Sequence, residues 1–105
     1  MSYKVLLIDD QYVSAPLQDF VLNASLEGIE IDCVGFHKEG IEILKNDKQG
    51  VYQAVILDAT GYLSEQDFEA GKDINNVGLT HTLRYLERLK SERIIPWFIY
   101  SGAPR

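Results

Sequence analysis

The chain has 105 residues, enough for one small domain, with 46% hydrophobic residues, 25% charged residues and a formal net charge of -6. That acidity argues against direct binding to nucleic acid, whose phosphate backbone needs a basic face. A single cysteine, Cys33, excludes an intrachain disulfide and fits a reducing cytoplasm, and no stretch has the roughly 18 apolar residues of a membrane span or the layout of a secretory signal.

Val5-Leu6-Leu7-Ile8 is a continuous apolar run that stops at Asp9-Asp10. Continuous rather than alternating apolarity predicts a strand covered on both faces. A helix follows, with Ser14 placed to cap it, Pro16 in its first turn, Leu17, Phe20, Val21 and Ala24 at helical spacing, and Gly28 to end it. Ile29 to Val34 alternates, with Ile29, Ile31 and Cys33 on one face and Glu30 and Asp32 on the other, as expected of a strand near a sheet edge. A second helix is expected over Lys38 to Asp47, with Ile41 and Leu44 inward. The third strand, Val51 to Leu57, runs into Asp58.

The polar stretch from Thr60 to about Asn76 is long for a strand-to-helix connection, where about 2–6 residues is usual. Its acids Glu65, Asp67 and Glu69 read as a solvated loop. A third helix is predicted from Val77 to Glu92, burying Leu79, Leu83 and Leu86 and exposing Arg84 and Arg88. Ile94 to Tyr100 reads as an apolar strand in which Trp97, Phe98 and Tyr100 are buried, with Pro96 near its start and Ser101-Gly102 after it. The order β-α-β-α-β-α-β predicts a parallel sheet with helices on both faces and right-handed crossovers. Sites in such sheets form beyond the carboxyl ends of the strands, near the switch in strand order.

Three of these strands end in polar groups at that common edge: Asp9-Asp10 after the first, Asp58 after the third, Ser101 after the fourth. Three carboxylates brought together repel unless a cation neutralises them. Oxygen-only ligands suit Mg²⁺, which takes one or two carboxylates plus phosphate oxygens. Asp58 is then placed to attack a phosphoryl group. His37, read as a loop residue, and His81, on a polar helical face, have no ligand partner at useful spacing, and Cys33 reads as a small core residue.

Lys4-Val5-Leu6-Leu7-Ile8-Asp9-Asp10-Gln11 resembles the first strand and acidic pair of the receiver domains of two-component response regulators. Ala54-Val55-Ile56-Leu57-Asp58 resembles their phosphoacceptor strand, and Ile95 to Gly102 is similar to their fourth strand with its terminal Ser or Thr. The resemblance implies a flavodoxin-like (receiver-type) sheet and a phosphoprotein of phosphorelay signalling. Asp9, Asp10 and Asp58 would hold Mg²⁺ with the backbone carbonyl of Thr60. Asp58 would take the phosphoryl group from a histidine kinase or phosphotransfer protein. Ser101 would hydrogen-bond that group as the switch, with Gly102 and Ala103 against its oxygens. Any catalysis would be confined to self-phosphorylation and dephosphorylation.

The chain departs from the family in three places. Ala59-Thr60-Gly61 stands where the family has a Met-Pro pair, and the segment from Asp58 to Ser101 is longer than usual. No fifth strand with its lysine and no last helices occur before Arg105, and neither Lys72 nor Lys90 follows an apolar strand. The expectation is a receiver-like domain over 1–105, incomplete at its C-terminus, that either belongs to a longer protein or forms a homodimer through the exposed fourth strand. Two alternatives stay open: a pseudo-receiver that binds protein without being phosphorylated, and a Mg²⁺-dependent aspartyl-phosphate phosphohydrolase. The second wants an Asp-x-Asp pair after the first strand, which Asp9-Asp10-Gln11 does not supply.

Overall fold

The computed structural model describes residues 3–58, 64, 66 and 77–100. Its elements follow the expected order: β1 (Tyr3–Ile8), α1 (Ala15–Leu26), β2 (Ile29–Val34), α2 (His37–Asn46), β3 (Ala54–Asp58), α3 (Val77–Leu89) and β4 (Trp97–Tyr100). The four strands form one sheet in the order β2-β1-β3-β4, with every neighbouring pair parallel. This is an α/β fold consistent with flavodoxin-like topology. Among the described residues no helix is long and apolar enough to cross a membrane.

β1 lies inside the sheet, paired with β2 on one side and β3 on the other. Its run Val5–Ile8 is buried throughout, which is why the sequence shows no alternation there. The side chains still point alternately to the two faces. Leu6 and Ile8 join Leu44, Val55, Leu57, Leu86 and Ile95 in a core roofed by α2 and α3. Val5, Leu7 and Ile31 form a second core, packed by Leu17, Val21 and Ala24 of α1. Helices therefore cover both faces of the sheet.

Several boundaries shift for local reasons. β3 starts at Ala54 rather than Val51 because the Asp47 carboxylate accepts the backbone N–H groups of Val51 and Tyr52, at 2.8 and 3.0 Å, which pulls them out of strand geometry. β4 starts at Trp97, after Pro96, which has no N–H to give a ladder. α3 ends at Leu89, whose carbonyl accepts the N–H groups of Glu92 and Arg93 in a closing turn. Ser14 occupies the N-cap of α1 in extended conformation but makes no side-chain cap bond. Gly28 takes φ +84, a left-handed conformation that lets the chain turn from α1 into β2.

Three expectations are corrected. His37 is the first residue of α2, not a loop residue, and is fully buried. Trp97 and Phe98 are exposed, Phe98 by 61%, because β4 is an edge strand whose only strand neighbour among the described residues is β3. Phe20, at helical spacing with the core residues of α1, remains 45% exposed. The calls on Thr60, on the 60–76 loop with Glu65, Asp67 and Glu69, and on Ser101, Gly102 and Ala103 fall outside the described residues.

Candidate functional site

In a parallel sheet all carboxyl ends face one edge, so the residues following adjacent strands become neighbours. β1 and β3 are adjacent, with Ile8 opposite Leu57. Asp9, one residue past β1, therefore comes beside Asp58, the last residue of β3. Between these strands the chain reverses its direction of travel across the sheet: β2 was added on one side of β1 and β3 on the other. A crevice at such a switch point is where ligands of open α/β sheets bind.

Asp9 and Asp58 are buried, 3% and 4% exposed, and Asp10 is half-buried. One carboxylate oxygen from each lies within 4.8 Å of the others. This crowding acts on Asp10: burial, then the Asp9 and Asp58 charges, push its carboxyl above the usual range. The donor set is three hard carboxylate oxygens with no soft ligand among them, which fits a hard divalent cation such as Mg²⁺.

Asp9 is held from two directions. The backbone N–H of Gln11 donates to its Oδ1 at 2.8 Å, and the hydroxyl of Tyr100 donates to its Oδ2. Tyr100 ends β4 directly opposite Asp58. Burial, followed by the Asp9 hydrogen bond and charge, raises the Tyr100 phenol far above its ordinary value, so it stays a protonated donor.

His37 lies beneath this edge. Its Nδ1 is 2.7 Å from Thr82 Oγ1, joining α2 to α3 through two fully buried polar side chains. Burial depresses the imidazole to about 4, against a smaller upward pull from the Asp58 backbone, so the ring is neutral at physiological pH. His81 is exposed on α3, and Lys90 lies at the exposed end of that helix, 3.9 Å from Glu87. Cys33 is half-buried against the α1 core, where burial, then Asp32 and Asp9, raise its thiol.

The structure thus brings together Asp9, Asp10 and Asp58. Tyr100, His37 and Thr82 were missed in the sequence. Tyr100 had a faint signal, as the residue before Ser101 at a strand end. His37 and Thr82 had none, since a lone histidine and a helical threonine are ordinary. Compared with known proteins, the chain matches no family model and no curated sequence.

Proposed function

We propose that the chain is a receiver-type signalling domain in which Asp58 accepts a phosphoryl group from a phosphohistidine on a partner kinase or phosphotransfer protein. The observation that carries this reading is the convergence of Asp9, Asp10 and Asp58, buried or half-buried, at the β1–β3 switch point. Strand order β2-β1-β3-β4 supports it, being the start of the flavodoxin-like order.

Asp9, Asp10 and Asp58 would hold Mg²⁺, which when bound supplies positive charge against the transferring oxygens. An Asp58 carboxylate oxygen attacks phosphorus, the P–N bond to the donor imidazole breaks, and its electron pair leaves with the imidazole. An acyl phosphate on Asp58 results. The resemblance adds the Thr60 carbonyl to the cation site and the Ser101 hydroxyl to the phosphoryl oxygens. Burial of Asp58 limits water at the reacting carboxylate. A second reading, a protein-binding domain that is not phosphorylated, is favoured by the exposed apolar side chains Trp97, Phe98 and Ile99 on edge strand β4.

The test is incubation with Mg²⁺ and acetyl phosphate followed by intact mass measurement. The expected result is one added phosphoryl group, abolished by Asp58→Asn and by chelation. No adduct together with no divalent-cation binding overturns the proposal and leaves the binding-domain reading.

A further inference from the structure

We infer that Tyr100 is a positioning residue of the acid site: through its hydroxyl it orients Asp9 so that the carboxylate meets a divalent cation in one fixed pose. The inference rests on reading Asp9, Asp10 and Asp58 as a cation site.

A carboxylate on a short side chain turns readily about its last torsion, which has broad preferences. Asp9 loses that freedom because a donor sits on each oxygen: Gln11 N–H on Oδ1 at 2.8 Å and the Tyr100 hydroxyl on Oδ2. Each oxygen has two lone pairs, so one donor apiece leaves room for a cation on either. The two donors arrive from different parts of the fold. Gln11 belongs to the turn after β1, and Tyr100 to β4, two strands away across β3.

Tyr100 is itself well anchored. Its backbone is in register with Asp58, and its ring packs against the second core, in an apolar groove with Leu7, Leu17, Phe20 and Ile56. The ring therefore delivers its hydroxyl from a fixed base. Such outer partners of metal ligands set ligand orientation, and losing one typically weakens metal affinity by about 10–100-fold.

Tyr100→Phe removes only the hydroxyl and keeps the ring. The test is Mn²⁺ titration of the whole chain, with free ion counted by electron paramagnetic resonance and no phosphodonor present. The wild type should bind, Asp9→Asn should not, and Tyr100→Phe should bind about tenfold more weakly or worse while its cation-free far-ultraviolet circular dichroism matches that of the wild type. A second measurement needs no variant to fold: adding Mg²⁺ to the wild type should perturb tyrosine absorption in the near ultraviolet. Equal or tighter Mn²⁺ binding by Tyr100→Phe, or an unperturbed tyrosine spectrum in a wild type that binds the ion, overturns the role of Tyr100 and leaves the acid site standing. A wild type that binds no better than Asp9→Asn overturns the cation site, and the role of Tyr100 with it.

Discussion

Replacing Asp58 with asparagine removes one charge from the acid site and keeps the side chain's shape. With ligand oxygens within 4.8 Å of one another, each pair of carboxylates repels by about 1 kcal/mol in a water-like medium and about 3.5 kcal/mol at an effective dielectric of about 20. Asp58→Asn abolishes two such pairs. Asp10 is only half-buried, so solvent screening holds its pair with Asp58 near the low end, and the variant should be more stable than the wild type by about 2–4 kcal/mol in EDTA at pH 7. Urea unfolding at low ionic strength measures this directly. If the acids hold Mg²⁺ as proposed, the ion should shrink or reverse the difference, since a ligand at about 100 times its Kd stabilises the protein that binds it by about 2.7 kcal/mol, and the variant would lack one of the three carboxylates.

The pH dependence has a definite sign. Asp10 has a folded value raised above its ordinary 3.8, so the folded protein holds this proton more tightly than the unfolded chain. Cation-free stability therefore falls as pH rises from about 3.8 through the raised value. Burial and Asp9 keep part of that slope in Asp58→Asn, and the part due to Asp58 disappears. An Asp58→Asn protein that is less stable than the wild type in EDTA, by the same amount as in Mg²⁺, would refute the electrostatic account.

Two further predictions concern the scaffold under the site. A Cβ at Gly40 would lie 2.4 Å from Ile8 Cδ1 and 2.8 Å from Ile8 Cγ1, where α2 crosses β1; overpacking toward the upper end of about 1–3 kcal/mol, set against about 1 kcal/mol of helix propensity, should leave Gly40→Ala less stable in urea by up to about 2 kcal/mol, with Ile8→Val recovering part of the loss. Asp47→Ala removes the acceptor for Val51, Tyr52 and Arg93 and should cost about 2–3 kcal/mol. Burial opposes ionisation of Asp47, but those donors outweigh it and hold the carboxyl below its ordinary value. The cost of Asp47→Ala should therefore shrink as pH falls below about 3.8 and through the lowered folded value.

The buried strand β1 was legible because a strand covered on both faces has to be apolar at every position from Val5 to Ile8. The edge character of β2 was equally plain in its alternation. Asp9 and Asp58 could be paired in advance because parallel strands end at one edge, a rule that needs no distances. β4 was misjudged for the complementary reason: an apolar run states what its side chains are, while the strands beside it decide whether they are covered. His37 was misplaced because its burial depends on Thr82, 45 residues away on another helix, and no local pattern encodes that contact. Tyr100 reached Asp9 across 91 residues by the same kind of long-range packing.

β1 has no free face and no free edge. Both cores lean on it, and the first half of the acid site is attached to its end. The acid site is thus attached to the most enclosed strand of the described sheet, and reshaping it by moving β1 would disturb both layers at once. Among the described strands, β4 and β2 have one strand neighbour each, and β4 carries the exposed apolar side chains. Because Tyr100 ties that outer strand to Asp9, whatever meets the exposed side chains of β4 stands one hydrogen bond from the acid site.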